Sequence, residues 1–274
     1  MGRFSKLETG KPAGDPSAPR RADVFERVMK YPDAASLPEL ADLDADAYMR
    51  VGDQALFAGK LKLALRWYSR AMDKDSTQLK PWLALIRTLL LKGDLSEATT
   101  WITRGLTLFP EDPKLLALRA VQYARRGLVR EAIASSDAVL ERNGAEPLAH
   151  LARGEVLLLA DNKNADYCFE QCLKLTRADD WQTPFVIALI FEERRMWAKA
   201  IQYYASAAER NERCAVLYYR VGLCRARLGH RQQALRAFEQ ARELCPPDDP
   251  LLGLIEHASP GSIWRRLLNL FHRA

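Results

Sequence analysis

The stretch AVLYYRVGLCRARLGHRQQALRAFEQARELCPPD, residues 215–248, decides the fold. Its apolar residues recur at helical spacing, interrupted at Gly229 and halted at Pro246, so it reads as two amphipathic helices joined by a short turn. Gly222 and Ala234 are small where two helices must approach, and Tyr218 and Phe238 are large where the gap between them must be filled. Working outward, the same choices return every 34 residues. Gly59, Gly93, Gly127 and Gly229 share one phase; Ala64, Ala98, Ala132, Ala200 and Ala234 share a second; Gly52, Ala120, Gly154, Ala188 and Gly222 share a third. A period of this length marks a stack of supersecondary units, none of which can bury its apolar face alone.

Six units follow at that period: 45–78, 79–112, 113–146, 147–180, 181–214 and 215–248. The glycine at the fifteenth position of a unit supplies the left-handed residue that ends its first helix. Pro110 and Pro246 break the chain where one unit must end. Two units depart from the pattern. Ile86 holds a small-residue position in the second. In the fourth, Asp166 and Glu170 stand where Ala and an aromatic belong, whereas Ala165, Phe169 and Cys172 fit those roles if the helix slides by one residue. The sequence therefore predicts a shifted second helix there, entered through the turn Asp161-Asn162-Lys163-Asn164.

With Tyr48, Gly52, Gly59, Ala64, Tyr68 and Ala71 in the first unit, and Tyr218, Gly222, Gly229, Ala234, Phe238, Ala241 and Pro246 in the sixth, residues 45–248 resemble the tetratricopeptide repeat family. The resemblance implies an all-α, right-handed superhelical solenoid acting as a non-catalytic protein-interaction scaffold or adaptor. It further implies that the first helix of each repeat lines a concave groove. Here that groove would present Met49, Asp53, Phe57, Leu83, Arg87, Leu91, Val121, Arg125, Leu151, Glu155, Leu159, Phe185, Leu189 and Tyr219. So apolar a groove implies burial of an amphipathic helix or peptide, with its few charged residues setting register. Family members that clamp chaperone tails carry Lys and Asn where this chain has Met49 and Asp53, which argues against that role.

Flanking the repeats, residues 1–22 are rich in Gly and Pro and read as a disordered arm. Residues 23–44 hold a short amphipathic helix, 23–30, and a linker. Asp249 can cap a closing helix over 249–258. Beyond Pro260-Gly261, residues 259–274 end in a basic amphipathic helix with Ile263, Trp264, Leu267, Leu268, Leu270 and Phe271 on one side. That helix could fold back over the groove, lie on an anionic membrane or dock into a partner. Residues 23–30 and 263–271 are both suitable occupants of the groove.

Net charge is +6, concentrated toward the C-terminal end. Arg220, Arg227, Arg231, Arg265, Arg266 and Arg273 are candidate contacts to an anionic surface. Two alternatives to the scaffold follow: a membrane-peripheral adaptor recruited by the C-terminus, and a nucleic-acid binder using the Arg-rich sixth unit. The groove lacks the regular one-residue-per-repeat polar code of RNA-reading repeats.

Chemistry finds little support. The four His are dispersed, no phosphate-binding glycine loop or nucleophile elbow occurs, and the five Cys lie within helical patterns without CxxC spacing. No catalytic residue, metal or cofactor is expected. With no signal-peptide core and no membrane-length apolar run, the expectation is a cytoplasmic protein, peripheral to a membrane if the C-terminal helix lies on lipid.

Overall fold

The computed structural model describes residues 43–247 and 249–258. The arm, the 23–30 helix and the basic helix of 259–274 fall outside them. The described residues form thirteen α-helices and no strand. Twelve pair into six antiparallel hairpins: α1 (Ala45–Phe57) with α2 (Leu61–Lys74), α3 (Leu79–Lys92) with α4 (Leu95–Leu108), and α5 (Pro113–Arg125) with α6 (Val129–Asn143). Then α7 (Pro147–Leu159) pairs with α8 (Ala165–Leu175), α9 (Gln182–Glu193) with α10 (Trp197–Arg210), and α11 (Ala215–Arg227) with α12 (Arg231–Leu244). A thirteenth, α13 (Pro250–Ala258), follows the stack and packs on α11 and α12. The described residues form an all-α solenoid.

Three hairpins close on a glycine facing an aromatic ring. A Cβ on Gly222 would come within 2.5 Å of the Phe238 ring, and one on Gly154 within 2.7 Å of Phe169; Gly52 faces Tyr68 in the same way. All three rings are buried. Ala188 and Tyr204 hold the same register in α9 and α10. In the second hairpin the relation changes: Ile86 and Ile102 are both of medium size and both buried. The third hairpin pairs Ala120 with Ser136, and Arg153 of α7 reaches in, donating to Ser136 Oγ at 2.7 Å and pairing with Asp137 at 2.7 Å. A long half-buried cation thus occupies space that an aromatic ring fills elsewhere.

The predicted slip in the fourth hairpin is present. Ala165, Phe169 and Cys172 are buried, Asp166 and Glu170 are not, and the turn before α8 is lengthened to residues 160–164. Phe169 then meets Phe191 at 5.3 Å, and Phe191 stacks on Tyr203 at 5.3 Å, joining the fourth hairpin to the fifth.

At several helix starts a carboxylate accepts from free N–H groups. Asp112 Oδ1 takes Lys114 N and Leu115 N at 2.9 and 3.0 Å, with Pro113 leading the helix. Asp180 does the same for Gln182 and Thr183, and Asp249 for Leu251.

Apart from Glu111 (φ 59°), which lies between the second and third hairpins, the left-handed residues share one register. Gly59, Gly93, Gly127 and Gly229 have φ between 79° and 86°, and Asp161 (53°) and Arg195 (58°) adopt the same region without being glycine. The hairpin geometry therefore imposes this conformation whatever the residue. A side chain there costs roughly 1–2 kcal/mol, partly offset by the lower unfolded-state entropy of a non-glycine residue. Arg195 is exposed. Arg195→Gly should raise the unfolding free energy by about 0.5–1 kcal/mol, measured by urea denaturation.

Candidate binding surface

The odd-numbered helices α1 to α11 carry every residue expected to line the groove. The structure brings these residues together but not as an open apolar wall. Met49, Val121, Leu151, Glu155, Phe185, Leu189 and Tyr219 are buried. Asp53, Phe57, Leu83, Arg87, Leu91, Arg125 and Leu159 are of intermediate exposure.

Two polar assemblies span this inner face. Arg125 of α5 grips Glu155 of α7 through Nε (2.9 Å) and Nη2 (2.6 Å), reaches Glu193 of α9 with both Nη atoms (2.6 and 2.7 Å), and donates to the Leu90 carbonyl of α3 at 2.8 Å. Arg87 of α3 meets the other Glu155 oxygen at 3.4 Å. Only 2% of the Glu155 side chain is exposed, against 36% for Glu193. Although burial opposes its charge, Arg125 is held protonated above its ordinary range by Glu155 and Glu193. Burial pulls Arg87 downward, opposed mainly by Glu155.

The second assembly joins the first hairpin to the fifth and sixth. Arg220 of α11 donates from Nε and Nη2 to the Phe57 carbonyl at the end of α1, at 3.0 and 2.9 Å. Its Nη1 meets Glu192 Oε1 at 3.0 Å, and the other oxygen of Glu192 accepts from Tyr204 OH at 2.5 Å. The Phe57 ring lies 4.9 Å from both Trp181 and Phe185. A cation at the carbonyl end of α1 is also placed well with respect to the helix dipole.

This corrects one expectation. Arg220 is 7% exposed and bound on both sides, so it does not contact an anionic surface. Arg227 and Arg231 are exposed. Arg265, Arg266 and Arg273 lie outside the described residues. The charged groove residues also have partners within the chain: Arg87, Arg125, Glu155 and Glu193 bind one another, and Asp53 accepts from Tyr68 OH at 2.8 Å. Periodicity gave no signal that Glu192 would meet Arg220 and Tyr204, or that the Leu90 and Phe57 carbonyls would act as acceptors.

The cysteines are free thiols. Burial pushes Cys172 and Cys224 up to about 12 and Cys245 up to about 11, far from the depressed range of a reactive thiolate. Among the described residues no His, Cys, Asp and Glu side chains gather in a group of three or more fit to hold a metal ion. No helix among them is long and apolar enough to cross a membrane.

Residues 215–248 match the family model for the tetratricopeptide repeat. The match spans the sixth hairpin, α11 and α12, and hairpins of the same build run through α1 to α10 before it. No curated protein matches it. Among solved structures it is similar to a thermophilic tetratricopeptide repeat protein of Thermus thermophilus, at 21% identity over 66% of this chain and 98% of that one, TM-score 0.45. It is similar also to a tetratricopeptide repeat protein of Parabacteroides merdae, at 17% identity over 87% and 90%, TM-score 0.43. The Cut9–Hcn1 hetero-tetramer of the APC/C gives 16% identity over 87% of this chain and TM-score 0.42; this chain spans 46% of that relative's length.

Two predictions test the electrostatics. Glu155→Ala leaves two guanidinium groups without their shared buried acceptor and should cost about 3–5 kcal/mol, whereas Glu193→Ala, on a more exposed partner, should cost about 1 kcal/mol or less; chemical denaturation compares them. Burial raises Asp53 above its ordinary 3.8, with the Tyr68 hydrogen bond and Lys80 pulling the other way. A raised folded-state value means stability present at acid pH is lost as the carboxyl ionises. Asp53→Asn, which keeps an acceptor for Tyr68, should therefore match or exceed the wild type at neutral pH. The two melting curves should converge below pH 3.8.

Proposed function

We propose that this chain is a non-catalytic protein-interaction scaffold that receives an amphipathic helix or peptide of a partner along its inner face. The observation that carries the reading is the state of that face. Its acids and bases bind each other and hold the hairpins in fixed relation. Phe57, Leu83, Leu91 and Leu159 remain partly exposed on the same helices. A frame held by its own ion pairs limits the ordering cost of binding, and half-exposed apolar side chains supply the area to bury. The raised thiols and mutually bound carboxylates leave no poised nucleophile–base pair among the described inner residues, in keeping with a binding role rather than a catalytic one.

The test is affinity purification from the native cell with the wild-type chain and with Leu91→Arg plus Leu159→Arg. A stoichiometric protein partner held by the wild type and lost from the variant, with helicity unchanged by circular dichroism, is the expected result. Recovery of only lipid or nucleic acid, or a partner held equally by both forms, would overturn it.

A further inference from the structure

A cleft runs along α4 where it meets α5. It has two lobes of about 700 and 480 Å³ that share Thr99, Thr103 and Arg126. α4 contributes Thr99, Thr103 and Thr107, one turn apart, and α5 contributes Arg119, Gln122 and Tyr123, with Arg126 just past its end. No residue lining either lobe is acidic, and three are arginines, the third being Arg104.

These arginines differ from others in the stack. Arg125, Arg153, Arg210 and Arg220 each donate to protein acceptors. The side chains of Arg119 and Arg126 make no hydrogen bond or ion pair with the described residues, and Arg119 Nε is sealed from solvent without an acceptor. An orphaned donor of this kind costs about 1–3 kcal/mol until an acceptor arrives. The threonine hydroxyls cannot take over the task of donor. Thr99 donates to the Leu95 carbonyl at 2.8 Å, Thr103 to Thr99 at 2.9 Å and Thr107 to Thr103 at 3.0 Å, while Gln122 Nε2 is bound to Thr99 Oγ1 at 2.8 Å. The strong unassigned donors are guanidinium groups, and they select an anion.

Arg119 lies in α5 and Arg126, still in the right-handed helical region, caps its C-terminal end seven residues on, about 10.5 Å away at 1.5 Å per residue. A ligand helix lying along α5 presents carboxylates at that spacing when they stand two turns apart on one face. Beside the arginines, the partly exposed Leu106 and Tyr123 offer apolar contact. A single aromatic ring is a poor platform for successive bases, which favours a peptide over a single-stranded nucleic acid. We infer that this cleft is a docking site for an acidic amphipathic helix of a partner protein, with carboxylates two turns apart paired to Arg119 and Arg126. The inference rests on the scaffold reading and names a second surface with its own chemistry.

The probe is a fluorescein-labelled, alanine-based helical peptide of about fifteen residues, carrying two Glu two turns apart and two Leu between them on the same face. Anisotropy titrations use the full chain, with a Lys-for-Glu peptide and an oligothymidine of similar length as competitors. The expected result is saturable binding of the Glu peptide that weakens with salt and falls at least tenfold in Arg119→Ala plus Arg126→Ala. Those side chains make no bond in the fold, so circular dichroism should show the double variant folded. Absence of saturable binding, equal binding by the variant, equal binding of the Lys peptide, or tighter binding of oligothymidine through the same arginines would each overturn the inference. The inner-face test reads Leu91 and Leu159, so failure here leaves the scaffold proposal standing.

Discussion

Every hairpin depends on one constraint: the side chains meeting between its two helices must together fill a nearly constant gap. Glycine against an aromatic ring satisfies it in the first, fourth and sixth hairpins. Two isoleucines satisfy it in the second, and alanine, serine and the borrowed Arg153 in the third. Protein interiors are close-packed, so neither a void nor an extra methyl is free of cost. Seen this way, Ile86 is not a defect of the repeat. Ile102 opposite it is smaller than the rings at the same register elsewhere, and the pair still closes.

This constraint also explains the fourth hairpin. A helix that kept the common register would bring Asp166 and Glu170 against Gly154 and its neighbours. Burying two carboxylates without partners is far more costly than lengthening a turn. α8 begins later, turns its apolar residues inward, and leaves Asp166 outside, where it meets Lys199 at 2.6 Å. The irregularity is thus the outcome of one energetic comparison, readable from residues within a single repeat.

Such local comparisons were legible in the sequence because both partners lie in one repeat. Asp161 and Arg195 take the left-handed conformation with no glycine to signal it, but at Gly59, Gly93, Gly127 and Gly229 that register was legible too. The inner-face pairings were not. Arg87 and Glu155 lie two repeats apart, Arg125 and Glu193 two repeats apart, and Arg220 reaches Phe57 across 163 residues. Periodicity records spacing inside a unit and says nothing of how far successive units rotate. A charged residue on the inner face could equally have awaited a ligand or met another charge. Burial of Glu155 between two arginines is a property of curvature, and curvature is the sum of many small packing angles.

Repeat arrays ordinarily behave as one-dimensional chains, in which each unit feels only its neighbours and the ends fray first. The grip of Arg220 on the Phe57 carbonyl removes that simplicity by making the first and sixth hairpins neighbours in space. Loss of order at either end then releases the other, so the described stack has no independent ends from which to unravel. Contacts of such long sequence separation also form only after most of the chain is in place, since loop-closure entropy precedes their reward. A nascent or shortened copy carries the hairpins but not their closure. The array is built by local rules and completed by a single long-range one.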